Sequence, residues 1–317
     1  MGIIKTNLLW IQAGSCSGDT MSLLCADKPS WPELVAQHNI NVLWQPSLST
    51  RSFNELLTDI DLILSDQLEL NILCIEGSLA LGPNNTGMFD TLDSKPKAFI
   101  VKELAQKADY VVAVGTCAAF GGIPAAPPNP TECTGMQSFQ GSDDGLLPMD
   151  WRSNKGLPVI NISGCPTHPN TIMQTIIALT QGYPLPLNDM QQPKAHYSTL
   201  VHQGCSRNEY HEYDIEEDKF GEAGCLFYNL GCQGPYTTAT CNTELWNNRS
   251  SKTREGVPCL GCVSPDFPRN APLFTTEKVG DIPVALPLGV SRPRYMAYKG
   301  LAKDAAPIRI IERKMKP

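Results

Sequence analysis

Several features that would assign the chain to a common class are missing from its 317 residues. No apolar run approaches the roughly 18 residues of a membrane-spanning helix, and the first residues lack a signal-peptide pattern and a twin-arginine pair. There is no internal repeat or low-complexity tract. The 25 Lys and Arg residues form no long basic stripe and are outnumbered by 32 Asp and Glu residues, which argues against nucleic acid as a partner. We therefore expect a cytoplasmic globular protein, associated with membranes only peripherally and through partners.

Cysteine is the residue type in excess, with 12 in the chain. Three explanations exist for so many thiols, namely structural disulfides, metal or iron-sulfur ligands, and scattered buried thiols. A cytoplasmic protein stays in a reducing compartment, where disulfides are rare. The expected compartment therefore favours metal chemistry over cross-links.

Short apolar runs alternate with helix-like segments in the first part of the chain, up to about Gly182. This alternation predicts a doubly wound parallel sheet of the α/β class. The predicted strands cover 8–11, 41–44, 70–75, 110–114 and 157–162, and the predicted helices cover 31–38, 53–65, 98–108 and 170–180. A proline-rich connector follows, so we predict one domain over residues 1–184 and a loop-rich domain over residues 185–317.

Polar and sulfur-bearing residues follow the predicted strands. Cys16, Cys117 and Cys165 each lie just beyond a strand and beside small residues that leave room for a bulky group, and Glu76 lies at the end of another strand. Ligands of open α/β sheets bind beyond the carboxyl ends of strands. The order of the strands decides whether the three thiols converge, and buried thiols in separate turns are the alternative.

The second part of the chain holds two further ligand sets. His202, Cys205, Cys225 and Cys232 supply one imidazole and three thiolates, a composition that also suits structural zinc. Cys241, Cys259 and Cys262 form a set of three thiolates, which suits a cuboidal cluster lacking one iron better than closed tetrahedral zinc.

A series of ordered segments carries a resemblance to a known family. They include LLWIQAGSCSGDTMS, VAVGTCAAFGGIPAAPPNPT, INISGCPTHPN, LVHQGCSRNE, GCLFYNLGCQGP and PCLGCVSPDFP. From about Leu8 to Pro268 the chain resembles the small, electron-transferring subunit of [NiFe] hydrogenases. The resemblance implies a flavodoxin-like domain followed by a loop-rich iron-sulfur domain.

Three iron-sulfur clusters are implied by the resemblance. It places a proximal cluster on Cys16, Cys117 and Cys165, a medial [3Fe-4S] cluster on Cys241, Cys259 and Cys262, and a distal [4Fe-4S] cluster on His202, Cys205, Cys225 and Cys232. The remaining cysteines, Cys25, Cys74 and Cys133, are interpreted as small apolar residues.

The chain departs from the family at one ligand position. The family's first motif is C-x-x-C, whereas Asp19 stands at the second cysteine position of this chain. Asp19 either ligates the fourth iron of a proximal [4Fe-4S] cluster, which we favour, or that cluster is [3Fe-4S] and Asp19 caps a turn.

The resemblance also implies a partner, since the family binds nickel through its large subunit. This chain would then hold no catalytic residue and would pass electrons from H2 to a quinone, a cytochrome or a redox protein, and its heterodimers could form higher oligomers. A regulatory hydrogenase signalling to a histidine kinase is one alternative, and an iron-sulfur subunit related to complex I is another. Glu76 is a candidate for a proton path, with a satisfied strand-end carboxylate as the other interpretation.

Overall fold

The computed structural model describes residues 5–139, 142–268 and 272–312. The chain divides into two compact units. One consists of Met1–Ala195 together with Val263–Pro268, and the other consists of His196–Cys262 together with Arg269–Pro317.

The first unit extends beyond residue 184 because the connector is bonded to the end of the sheet. The Asn161 N–H donates to the carbonyl of Gln191 at 2.9 Å. Gln192 Nε2 donates to Ser163 Oγ at 2.7 Å, and that hydroxyl donates to the carbonyl of Val263 at 2.8 Å. These buried bonds attach both the connector and the later segment that begins at Val263 to the first unit.

The first unit contains short and long strands separated by helices. Its strands are β1 (Thr6–Gln12), β2 (Ile40–Trp44), β3 (Leu70–Glu76), β4 (Leu79–Ala80), β5 (Thr91–Leu92), β6 (Lys95–Pro96), β7 (Ala108–Val114), β8 (Cys133–Gln137), β9 (Gly145–Leu147) and β10 (Ile160–Ile162). Its helices are α1 (Gly18–Leu24), α2 (Trp31–Gln37), α3 (Phe53–Leu64), α4 (Lys97–Lys107), α5 (Gly115–Phe120), α6 (Gly122–Ala125) and α7 (Pro169–Gln181).

The central sheet is parallel and has the order β2-β1-β3-β7-β10. Counted along the chain this is the flavodoxin-like order 2-1-3-4-5, which confirms the predicted α/β class. The strand predicted over 157–162 is shorter, because only Ile160–Ile162 pairs with β7. Pro158 has no N–H to donate, which explains the late start of this strand.

Both faces of the sheet are buried. Leu9 and Ile11 of β1 lie in one apolar cluster, whereas Leu8 and Trp10 lie in another on the opposite face. Successive side chains of a strand point to opposite faces, so this alternation shows that helices cover the sheet on two sides. The fold is therefore doubly wound, and it brings the carboxyl ends of all five strands to one edge.

Capping residues in the sequence mark where several helices of the first unit begin and end. Ser52 and Glu55 form a capping box at the start of α3, and Ser30 and Glu33 form another at the start of α2. Gly182 ends α7 in a left-handed conformation that glycine adopts without steric cost.

The second unit has few regular elements. They are α8 (Asn208–Glu212), α9 (Phe227–Leu230), β11 (Lys278–Val279), β12 (Ile282–Pro283), α10 (Arg292–Asp304) and α11 (Ile308–Ile311). Its buried apolar cluster is small and contains Tyr210, Phe227 and Ile310 together with Cys225 and Cys232. Within the described part of the chain, no helix is both long and apolar enough to span a bilayer.

Candidate metal centres

The three strand-end cysteines of the first unit lie around one point. Cys16 follows β1, Cys117 lies in the first turn after β7, and Cys165 follows β10. Burial raises the pKa of the Cys117 thiol to about 12. The neighbouring groups that raise this pKa further are Cys165, Asp19 and Cys16. The strand order thus brings together all four side chains that the sequence predicts for the proximal site.

Asp19 lies between the turns that carry two of these cysteines. Its Oδ1 accepts a hydrogen bond of 2.7 Å from the N–H of Thr167, two residues after Cys165. A Cβ at Gly115, two residues before Cys117, would collide with Oδ2. Burial, and secondarily the charge of Glu76, raises the pKa of Asp19 to about 7. This buried carboxyl lies near Cys117, and a cation bound there would favour its ionised form.

Gly115→Ala is expected to displace the Asp19 carboxylate, whereas Gly156→Ala is the matched control. Both glycines have positive φ, at 87° and 80°, but a Cβ at Gly156 meets nothing within 4 Å. Both variants incur backbone strain of about 1–2 kcal/mol, and Gly115→Ala adds a steric cost of roughly 1–3 kcal/mol. We expect a lower melting temperature and less bound iron for Gly115→Ala; equal values for the two variants would contradict this position of Asp19.

Glu76 lies at the end of β3, between the strands that lead to Cys16 and Cys117. It is fully buried. Its donors are Trp10 Nε1 at 3.0 Å, Gln12 Nε2 at 3.1 Å, Ser15 Oγ at 3.2 Å, and the N–H (3.1 Å) and hydroxyl of Thr20. These donors satisfy both oxygens of the carboxyl group, which accounts for its burial. The described contacts agree with a satisfied strand-end carboxylate, and a role in proton transfer stays a prediction.

The second unit contains a small, partly open cavity of about 20 Å³ whose wall includes His202, Cys205, Cys225 and Cys232. Backbone N–H groups donate to the sulfurs, with Arg207 N 3.4 Å from Cys205 Sγ and Cys259 N 3.3 Å from Cys232 Sγ. Such N–H···S bonds stabilise the charge of metal-bound thiolates. Burial lowers the pKa of His202 to about 4, so its imidazole is neutral, the form that binds metal.

The predicted donor sets are not arranged around a single zinc ion. Four ligands at about 2.3 Å from zinc lie roughly 3.8 Å from one another. Among the described residues, only His211, Glu216 and Cys225 bring three ligand atoms within 4.8 Å. This group shares only Cys225 with the predicted sets.

The third set, Cys241, Cys259 and Cys262, is also assembled. Burial raises the pKa of Cys241 to about 12, with a further contribution from Cys262. Burial also raises the pKa of Cys259 well above its ordinary value, and Cys232, Cys262 and Cys241 add to this effect. Cys259 therefore lies next to Cys232 of the four-residue set, to whose sulfur it also donates its N–H. The two ligand sets of the second unit are adjacent.

Two family models match the chain. One, described as NADH ubiquinone oxidoreductase, 20 Kd subunit, matches residues 16–179. The other describes the C-terminal part of the NiFe/NiFeSe hydrogenase small subunit, and it matches residues 197–275. The first match alone would also suit an iron-sulfur subunit related to complex I. A relative that is similar over both halves of the chain is therefore needed to choose between that subunit and a hydrogenase small subunit.

Curated relatives supply that similarity. A hydrogenase II small subunit of Methanosarcina mazei is 33% identical, over 85% of this chain and 75% of that protein. The chain belongs to the small subunits of [NiFe] hydrogenases. A periplasmic [NiFeSe] hydrogenase small subunit of Desulfomicrobium baculatum is 30% identical, over 87% of this chain and 89% of that one. These alignments confirm the family that the sequence motifs indicate.

Solved hydrogenases share the fold of this small subunit. An actinobacterial-type NiFe-hydrogenase from Ralstonia eutropha H16 superposes with a TM-score of 0.79 at 28% identity, covering 97% of this chain and 93% of that chain. Small subunits of [NiFe] hydrogenases carry iron-sulfur clusters and pair with a large [NiFe] subunit. The thiol-rich sites described above fit such clusters in donor chemistry.

Sequence patterns do not indicate two side chains that lie next to the four-residue set of this small subunit. His211 Nδ1 lies 3.5 Å from Cys225 Sγ, and its ring packs edge-on against His202 at 4.7 Å. Arg207 is buried and donates to the backbone carbonyls of Thr253 and Gly224 at 2.6 and 2.7 Å. His211 lies within an acid-rich stretch and Arg207 lies just before it. Such a stretch is typical of an exposed face, so the sequence alone does not indicate these buried contacts.

Proposed function

We propose that this chain relays electrons from H2 oxidation on the large subunit through three iron-sulfur clusters to an acceptor. The observation that supports this most directly is that the fold gathers three sulfur-rich sites, each with three or four of the predicted donors, from segments far apart in the chain. When bound, the clusters supply one-electron carriers. The residues of the chain position the sulfurs and stabilise thiolate charge through N–H groups.

The proposed ligands and cluster types are those that the family resemblance implies. Cys16, Asp19, Cys117 and Cys165 would hold the proximal cluster, Cys241, Cys259 and Cys262 a medial [3Fe-4S] cluster, and His202, Cys205, Cys225 and Cys232 a distal [4Fe-4S] cluster. The position of Asp19 between the turns of Thr167 and Gly115 supports a proximal [4Fe-4S] cluster with a carboxylate ligand.

Substitution of Asp19 tests the carboxylate ligand. Asp19→Ala is expected to lose about one iron per chain and to convert the proximal centre to [3Fe-4S], because the fourth iron loses its protein ligand. Asp19→Cys is expected to retain this iron, since thiolate is the better donor toward soft iron-sulfide. Iron analysis and electron paramagnetic resonance of the purified complex report both results. Identical iron content and spectra in the wild type and Asp19→Ala would show that Asp19 is not a ligand.

The same preparation tests the partner and the physiological role. We expect the chain to co-purify with a large, nickel-containing subunit and the complex to reduce methyl viologen rapidly with H2. A complex that binds H2 but turns over very slowly would instead support the hydrogen-sensing role. A cytoplasmic location stays part of this proposal, and fractionation of cells expressing the chain tests it.

A further inference from the structure

One histidine next to the four-residue set is not itself among the predicted ligands. His211 lies in the last turn of α8, and its side chain is 17% exposed. Its ring packs edge-on against two other rings, with centroids 4.7 Å from that of His202 and 5.5 Å from that of Phe227. These two contacts fix the orientation of the His211 ring beside a proposed cluster ligand.

The orientation of this ring brings Nδ1 close to a second proposed ligand. Nδ1 lies 3.5 Å from the Cys225 sulfur, which is within hydrogen-bond distance for sulfur. In a free thiol either atom could donate the hydrogen, but a thiolate bound to iron has none to donate. When the cluster is bound, the imidazole is therefore the donor, and the hydrogen lies on Nδ1.

A carboxylate also lies close to Nδ1 of His211. Oε1 of Glu216 is 3.7 Å from this nitrogen, and the Glu216 side chain is 10% exposed. Its other oxygen, Oε2, accepts a hydrogen bond of 3.2 Å from the N–H of Tyr228, which holds the carboxylate in place. An N–H donor stabilises negative charge on the Cys225 sulfur, whereas a nearby carboxylate destabilises it. The two neighbours therefore act on this sulfur in opposite directions.

His211, Glu216 and Cys225 are close enough to one another to hold a single metal ion, since their ligand atoms lie within 4.8 Å. However, Cys225 lines the same cavity as the other three residues of the four-residue set, which assigns its sulfur to the cluster. Only two donors would then remain for a separate ion, fewer than the three or four protein ligands that zinc takes. The geometry therefore favours a hydrogen bond to a cluster ligand over a second metal site.

We propose that His211 is a positioning residue for the distal cluster, and that its hydrogen bond to Cys225 raises the reduction potential of that cluster. This inference rests on the proposed electron relay. Reduction by one electron adds negative charge to the cluster and its thiolates, so an N–H···S bond stabilises the reduced state more than the oxidised state. The N–H of Phe227 donates to the same sulfur at 3.4 Å, and this backbone bond does not depend on the His211 side chain.

The test is a redox titration of the purified heterodimer of large and small subunits, followed by electron paramagnetic resonance. His211→Phe keeps a ring to pack against His202 but removes the N–H, whereas His211→Asn keeps an N–H donor near the position of Nδ1. His38→Phe is the matched control, because His38 contacts Gln181 in the first unit. The signal that is missing from Cys225→Ala identifies the distal cluster.

At a fixed ambient potential, the ratio of reduced to oxidised distal cluster should fall about tenfold in His211→Phe, equivalent to about 59 mV for one electron. His211→Asn and His38→Phe should change this ratio less than about threefold, since each keeps a side-chain donor near the Cys225 sulfur. The iron content should be the same in all three variants and the wild type, because none of them removes a proposed ligand.

Glu216→Gln provides a second measurement with the opposite sign. Glutamine removes the charge but keeps an oxygen that can accept from the N–H of Tyr228, so the ratio of reduced to oxidised distal cluster should rise.

Three results would overturn the role of His211. They are an unchanged potential in His211→Phe, a loss of cluster iron in that variant, which would make His211 a ligand, and one zinc per wild-type chain that disappears with the substitution. A distal cluster that is present but keeps its potential in His211→Phe contradicts only this inference. Absence of that cluster from the iron-loaded wild type would instead contradict the proposed relay.

Discussion

Cys225→Ala is expected to eliminate the distal cluster and to reduce the iron content by about four atoms per chain. Cys225 is buried in the wall of the distal cavity, and its sulfur accepts a hydrogen bond from Phe227 N at 3.4 Å. Loss of residues that merely support a metal ligand already lowers metal affinity roughly 10–100-fold, so loss of a ligand should have a larger effect. H2-dependent reduction of external acceptors should fall in parallel.

Cys74→Ala is the matched control for this experiment. Cys74 is fully buried in β3 and lies in an apolar cluster, so its replacement creates only a small cavity. We expect unchanged iron content and about 1 kcal/mol or less of lost stability. Iron analysis of the two variants separates a ligand from a buried thiol. Equal iron content in Cys225→Ala and Cys74→Ala would show that Cys225 is not a cluster ligand.

Arg207→Met is expected to destabilise the second unit by about 3–5 kcal/mol. The guanidinium donates to the carbonyls of Thr253, Gly224 and Glu222, and methionine would leave these acceptors without their donor. The residue also lines the distal cavity, so its loss should loosen the segments on which the cluster ligands lie. The melting temperature should fall by roughly 10 °C.

Arg249→Met controls for removal of a positive charge. Arg249 is exposed, and replacement of an exposed arginine usually changes stability by no more than about 0.5 kcal/mol. Differential scanning calorimetry of both variants, with the same iron content in each sample, gives the comparison. A melting temperature for Arg207→Met that equals that of Arg249→Met would contradict a structural role of the buried guanidinium.

The main elements of the first unit could be predicted because their signals are local. The helix predicted over 53–65 is observed as Phe53–Leu64, since a capping box and an amphipathic period both lie within the segment. The short strands β4, β8 and β9 have no comparable signal in the sequence. Strands of two to five residues carry too little periodicity to be recognised before their pairing partners are known.

The residues of the candidate sites also differ in whether the sequence predicts them. Residue type and spacing indicate the cysteines and His202, because thiols clustered with a histidine are a common pattern of metal ligands. Arg207 and His211 could not be predicted, since arginine and histidine in or beside an acid-rich stretch are ordinary surface residues. Their roles arise from contacts with Gly224 and Cys225, which lie further along the chain.

By itself, the sequence determined the α/β class and the family, and it predicted which residues would bind the clusters. Tertiary structure alone decided that the turns after β1, β7 and β10 converge on Asp19, because strand order depends on pairing between distant segments. It also decided that Cys259 of the three-thiol set lies beside Cys232 of the four-residue set. Distances and cavities arise from packing, which a linear pattern of residues does not contain.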